Sequence, residues 1–163
     1  MIRSVRRLSV AAVLALAIAA TLMATAAFGQ QGLHFVGTPT VTATKTATSA
    51  FLTATGEVAG AGTTATATLS ANATVTTGCI NRGSKDQQPS GLQQSTTTVA
   101  GTTTFNTRQG RGTFTVSTEP ITLDRTCPDQ MVPVLVSVVF TDVTLTVTSQ
   151  TGTITQSFGT IDP

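Results

Sequence analysis

The stretch ATATLSANATV at residues 65–75 decides the fold, because small or apolar side chains alternate with polar ones along its whole length. A period of two places successive side chains on opposite faces of an extended chain, so one face can be buried while the other meets water. A helix would spread the same polar residues over every side. The stretch therefore predicts a half-buried β-strand, and continuing its phase puts Cys79 on the buried face.

Seven further stretches carry a similar signature and predict a domain of about eight strands. These stretches are 33–41, 51–58, 96–105, 113–118, 132–140, 143–148 and 153–158. Threonine, whose branched β-carbon favours extended backbone, supplies 35 of residues 30–163. A parallel sheet would need helical crossovers, for which the chain leaves no room. We therefore expect a single antiparallel β-sandwich of immunoglobulin-like or Greek-key topology.

The segment 132–148 predicts the centre of a sheet, because apolar side chains fall on both faces of its first half. Val132, Val134, Val136, Val138 and Phe140 share one face, with Leu135 and Val139 on the other. The apolar phase then moves to the odd positions from Val143 to Val147, so we expect a turn or bulge at residues 141–142. Residues 149–152 predict the loop of a final hairpin.

The first 29 residues predict an export signal. Three arginines, Arg3, Arg6 and Arg7, precede an uncharged run over residues 8–28 that ends in small residues suited to cleavage. This is the layout of a secretory signal peptide, with a retained N-terminal anchor and a twin-arginine signal as alternatives. We expect a bacterial protein secreted to the extracellular side, with a mature β-domain over residues 30–163 and no stable membrane insertion once the signal is removed.

The charge of the mature chain argues against a nucleic-acid partner. The full sequence carries nine basic and seven acidic side chains, which gives a formal net charge of +2. Three basic residues belong to the predicted signal, so residues 30–163 carry six against seven and a net charge of about −1. Nucleic-acid binding depends on clustered positive charge. We expect no nucleic-acid partner.

Cys79 and Cys127 are the only two cysteines, and in an exported chain they predict one disulfide. Two unpaired buried thiols are the alternative, and a zinc site has poor support because two cysteines and His34 alone make a poor ligand set. The bridge would bring two turn-rich segments, 81–95 and 119–130, to one end of the domain. The strand that ends at the first segment and the strand that follows the second segment should then run in opposite directions.

These two segments carry the candidate contact residues, since loops on a rigid sheet are common recognition surfaces. The charged side chains that we assign to this surface are Arg82, Lys85, Asp86, Asp124, Arg125 and Asp129. The acidic residues of the second segment match no recognised calcium loop. We expect no metal and no cofactor.

Enzymatic chemistry finds no support in the sequence. His34 is the only histidine that could serve as a general base, and it lies close to the predicted mature N-terminus. No G-x-S-x-G motif is present. Seven acidic residues offer no recognisable glycosidase pair. The glycines at 60–62 lack the third glycine and the helix of a phosphate site, and they predict a tight turn instead. We expect a protein without catalytic residues.

Several motifs resemble small secreted proteins of unknown function from high-GC, actinobacteria-like bacteria. They are FVGTPT at 35–40, TGEVAGAG at 55–62, CINRG at 79–83 and TDVTLTV at 141–147. The resemblance covers most of the mature chain. It implies a secreted β-fold and carries no functional residues.

The leading hypothesis is a non-enzymatic extracellular domain with a binding or structural role toward an unidentified extracellular ligand or cell-surface partner. The alternative is self-association, with a strand edge at 96–104 or the threonine-rich N-terminal strand adding to a neighbour in a fibre or envelope layer. A hydrolase and an ice-binding protein are weaker alternatives. Ice binding would need threonines aligned by a repeated coil length, whereas the spacing of T-x-T motifs here drifts.

Overall fold

Residues 32–83 and 88–163 are described by a computed structural model, and the predicted export signal at 1–29 lies outside them. The described chain forms nine β-strands and no helix, which confirms the all-β class. The strands are β1 His34–Phe35, β2 Thr40–Lys45, β3 Ser49–Ala59, β4 Thr64–Asn81, β5 Ser90–Asn106, β6 Gly112–Ser117, β7 Ile121–Thr122, β8 Met131–Ser149 and β9 Gly152–Ile161.

The strands form two antiparallel sheets that pack against each other. One sheet has the order β5, β4, β8, β9. In the other, β3 pairs with β1, β2, β6 and β7. Thr53 of β3 lies opposite both Thr42 and Ser117, so β2 and β6 flank β3 on its two sides. The expected antiparallel sandwich is confirmed.

The core lies between the sheets and consists of aliphatic residues with two phenylalanines. Along β4, the alternation that begins at Ala65 is buried through Val75 and ends at Cys79, which is 3% exposed. The largest fully buried side chains include Leu52, Leu69 and Phe140. The half-buried strand predicted at 65–75 is therefore confirmed, and it extends at its C-terminal end to Asn81.

The strand expected at 33–41 is interrupted. Residues 36–39 separate β1 from β2, and Gly37 there has a positive φ of 75°. Pro39 follows, and it has no backbone N–H to donate to a ladder. The sequence prediction missed this break because the apolar pattern continues across it.

The strands predicted at 132–140 and 143–148 are one long strand, β8, with the expected bulge between them. The register of β8 against β4 shifts between Ser70 and Asn72, and Asp142 there has a φ of 54°. Short polar side chains tolerate this left-handed conformation. The amide of Asn72 donates a hydrogen bond to the carboxylate of Asp142 at 3.1 Å, which ties the bulge to β4.

The facial assignment within 132–140 was wrong, because β8 has a second irregularity. Thr76 pairs with Ser137 but Thr77 pairs with Leu135, so Val136 is an extra residue. An extra residue moves every later side chain to the other face. Leu135 is consequently buried together with Val138 and Phe140, whereas Val134 and Val136 are only half-buried.

The first predicted loop was too long. β4 continues to Asn81 and β5 begins at Ser90, so the connection covers only residues 82–89. Residues 90–98 are all exposed although they form a strand. A strand without a buried face shows no alternation of apolar and polar residues. For that reason the beginning of β5 was predicted as part of the loop. The hairpin at 149–152 is confirmed by the pairing of Ser149 with Gly152.

Candidate functional site

The disulfide brings the two turn-rich segments to one end of the sandwich, as expected. Cys79 in β4 is bonded to Cys127, with 5.9 Å between their Cα atoms. The backbone N–H of Arg82 donates to the carbonyl of Gln130 at 3.1 Å, which closes the same end. β4 and β8 run antiparallel through this region. We call this region the disulfide end.

Arg125 anchors the segment that precedes Cys127. Its Nη1 donates to the carbonyl oxygen of Thr77 at 2.8 Å and to the Thr77 hydroxyl at 3.2 Å. Its Nη2 donates to the carbonyl oxygen of Gly91. The guanidinium thus joins the segment to both β4 and β5, and its donors are directed toward the protein.

The other end of this segment is fixed by backbone hydrogen bonds. The N–H of Glu119 donates to the carbonyl of Ala100 in β5 at 3.0 Å, and the N–H of Thr118 donates to the carbonyl of Leu52 in β3 at 2.9 Å. Residues 119–125 therefore pass alongside β5 while being held at both ends.

An open groove of about 750 Å³ lies between β5 and residues 119–125. Its lining combines amide and hydroxyl groups from β5 with two carboxylates, those of Glu119 and Asp124. The remaining lining residues are Val75, Thr77, Gln93, Gln94, Ser95, Thr97, Thr98, Val99, Ala100, Pro120, Ile121, Thr122, Leu123 and Arg125. We call this space the β5 groove. Its volume falls within the range of about 300–1,000 Å³ that is usual for ligand sites.

One edge of β5 is unpaired beside the groove. In an antiparallel ladder, the backbone N–H and C=O groups of alternate residues point toward and away from the partner strand. The carbonyl of Ala100 accepts from Glu119 and so points away from β4. By alternation, the backbone groups of Gln94, Thr96 and Thr98 point the same way, and within the described residues no strand pairs with β5 on that side.

The structure separates the sequence-predicted contact residues into three groups. Asp124 and Arg125 line the β5 groove. Arg82 and Asp129 are exposed in turns at the disulfide end but do not line it. Lys85 and Asp86 lie outside the described residues.

Sequence reasoning missed the uncharged part of the groove. Gln93, Ser95 and Thr97 line it from β5, yet none of them belongs to a recognisable motif. The available signal was a long run free of charge and proline, residues 90–106, which is unusual for an edge strand.

The remaining polar groups do not form a second site among the described residues. His34 begins β1 half-buried, with its Nδ1 atom 2.8 Å from the carbonyl oxygen of Gly32. Arg111 forms an ion pair with Glu57 at 2.8 Å, and because their side chains are 59% and 35% exposed this pair contributes little stability. No cluster of three or more histidine, cysteine or acidic side chains suited to a metal ion occurs in the described part of the chain.

The outer face of the four-stranded sheet carries aligned threonines. Two rows cross all four strands and consist of Thr66, Thr68, Thr102, Thr104, Thr146, Thr148, Thr153 and Thr155. Their hydroxyls pair across β4 and β5 and across β8 and β9 at 3.1–3.3 Å. Neighbouring strands twist by about 20–25°, so such rows do not form a flat lattice. We interpret these threonines as the polar, mutually bonded face of the sheet.

Searches against protein-family models, curated proteins and solved structures find no match for this chain. The resemblance to small secreted bacterial proteins therefore stays a prediction from the motifs.

Proposed function

We propose that this protein is an exported, non-enzymatic binding domain that contacts an extracellular or cell-surface partner through the β5 groove at its disulfide end. The observation that carries the proposal is a groove of about 750 Å³, one wall of which is held in place at both ends by separate hydrogen bonds and by the disulfide. Arg125 and the disulfide fix one end of residues 119–127, and Glu119 fixes the other. Preformed walls lower the entropic cost of binding a ligand.

Export is supported by two independent features. The bridge between Cys79 and Cys127 belongs to an oxidising compartment. The arginine-rich start and uncharged run of residues 1–29 have the layout of a secretory signal. Among the described residues, no helix is long and apolar enough to span a membrane.

The proposal is tested by filling the groove with a large side chain. Ser95 is exposed and lines the groove, whereas Ser157 is exposed on β9, the edge strand at the opposite side of the same sheet. We expect Ser95→Trp to reduce saturable binding of labelled mature protein to intact producer cells at least tenfold. Ser157→Trp, the matched control, should bind like the wild type. Equal binding by both variants would remove the groove as the contact surface.

A second candidate function is self-assembly, which the unpaired edge of β5 favours. An exposed strand edge can pair with a strand of another copy. Light scattering of the purified mature protein distinguishes this function, because assembly requires a mass that rises with concentration. A constant monomer mass over a wide concentration range would exclude it.

A further inference from the structure

We infer that the β5 groove binds an extended polypeptide segment of a partner, which adds to β5 as a further strand and directs a basic side chain toward Glu119 or Asp124. This inference rests on the proposed function, since it names the ligand class of the same groove.

The backbone of β5 offers a row of hydrogen-bonding groups to a new strand. The N–H and C=O groups of Gln94, Thr96 and Thr98 point away from β4, as the hydrogen bond between Glu119 and Ala100 establishes. At about 3.3 Å per residue, the six steps from Leu92 to Thr98 span roughly 20 Å. That length accommodates a peptide of six or seven residues between the two points where residues 119–125 are fastened.

β5 lacks the side chains that normally protect an edge strand. Natural edges carry lysine, proline, inward-pointing charges or short strands that prevent pairing. β5 runs from Ser90 to Asn106 without a charged residue or a proline. Such an open edge is expected where strand addition is part of the function.

The only large hydrophobic residue that is exposed in the described chain lies on this strand. Leu92 is 60% exposed. Its side chain lies beside that of Val136, since both come within 3.2 Å of the position that a side chain on Gly78 would occupy. An added strand would cover Leu92 with every second side chain, while its other side chains would enter the groove.

The charge of the groove indicates which side chains it accepts. Glu119 and Asp124 both line it, and neither forms an ion pair with a described residue. Arg125, the one cation in the lining, directs its donors to the carbonyls of Thr77 and Gly91. A lysine or arginine on the incoming strand would therefore meet a carboxylate toward either end of the groove, whereas an acidic side chain would be repelled.

The test uses pools of nine-residue peptides with blocked ends and the oxidised mature protein. Each peptide alternates threonine with a randomised aliphatic residue and carries either lysine or glutamate at its centre. We expect immobilised protein to enrich lysine-centred peptides at least tenfold over glutamate-centred ones. Peptides selected in this way should protect the amides of Gln94, Thr96 and Thr98 from hydrogen exchange.

Proline substitutions test whether the β5 edge itself carries the binding. Thr96 presents its N–H away from β4, so Thr96→Pro removes a donor from the free edge without removing one from the sheet. On the opposite edge, Thr155 of β9 lies in one row with Thr102, Thr68 and Thr146. Because Thr102 points its backbone groups away from β4, the alternation of bonded and non-bonded pairs from strand to strand makes the N–H of Thr155 point outward from β9. We expect Thr96→Pro to reduce peptide enrichment at least tenfold and Thr155→Pro to leave it within twofold.

N-methylation of a selected peptide gives a second test that does not alter the protein. Methyl groups on the backbone nitrogens that face β5 should abolish binding, whereas methyl groups shifted by one residue should not. No enrichment on the wild type, or equal enrichment on both proline variants, would overturn strand addition. These results are independent of cell binding by Ser95→Trp, so a failure of strand addition is distinguishable from a failure of the proposed function.

Discussion

The structure gives Arg125 a different role from the one predicted from the sequence. In the sequence it is one of six charged residues assigned to a contact surface. In the structure its guanidinium reaches two backbone carbonyls and a hydroxyl of the neighbouring strands. We interpret it as a positioning residue that holds one wall of the groove, and we assign the contact role to Asp124 and Glu119.

Replacing Arg125 should therefore lower stability. Hydrogen bonds from a charged donor contribute about 1.5–3 kcal/mol, and Arg125→Met leaves the carbonyls of Thr77 and Gly91 without this donor. We expect the free energy of unfolding, measured by urea denaturation with the disulfide intact, to fall by about that amount. Arg108→Met, in an exposed turn, is the control and should stay within about 0.5 kcal/mol of the wild type. Equal stability of the two variants would contradict the anchoring role.

At the scale of the element, β5 consists of two parts with different surroundings. Residues 90–98 are exposed on both faces. The second part passes close to the end of β6, where a side-chain carbon on Gly101 would come within 1.8 Å of the carbonyl oxygen of Ser117. Glycine is required at such a close approach of two backbones. At Gly101 the two sheets are in contact through β5 and β6, whereas residues 90–98 of β5, beside the groove, remain exposed.

Gly101→Ala should separate the two sheets at this contact. Overpacking costs about 1–3 kcal/mol and occasionally more, and here the clash is with backbone, which cannot rotate away. We expect a loss of at least that size in the free energy of unfolding. Gly32→Ala is the matched control, because no atom lies within 4 Å of its added carbon. If thermal denaturation showed the two variants to be alike, the close approach of β5 and β6 would be wrong.

The elements that sequence reasoning predicted correctly are those with one buried face. The alternation from Ala65 to Val75 and the phase change near Asp142 each have a local signature. The extra residue at Val136 left no such signature, because valines occupied both faces around it. The beginning of β5 was missed for the opposite reason, since no face of it is buried.

The groove itself was beyond sequence reasoning because its walls are distant along the chain. The disulfide end was predicted from Cys79 and Cys127, which are 48 residues apart. Arg125 meets Thr77 over the same separation, but nothing local to either residue indicates that contact. Only the register of β4 against β5, together with the hydrogen bond from Glu119 to Ala100, reveals that Gln94, Thr96 and Thr98 point their backbone groups away from β4.

At the scale of the whole molecule, the disulfide fastens the crossover between the two sheets. Residues 123–130 lead from β7, which belongs to the sheet of β3, to β8 in the other sheet, and Cys127 joins this crossover to β4. Closing a loop of this length stabilises the fold by about 4 kcal/mol in the chain-entropy account. The same covalent bond fixes the segment that forms a wall of the groove. One disulfide therefore both stabilises the fold and holds the proposed binding surface in place.

The most direct test is native-state hydrogen exchange of the oxidised mature protein, followed by NMR at single amides of β5. We expect a two-residue alternation: slow exchange at Ser95, Thr97 and Val99, whose N–H groups point toward β4, and fast exchange at Gln94, Thr96 and Thr98. Uniform protection of all six amides, or uniform fast exchange, would contradict an ordered strand with one free edge.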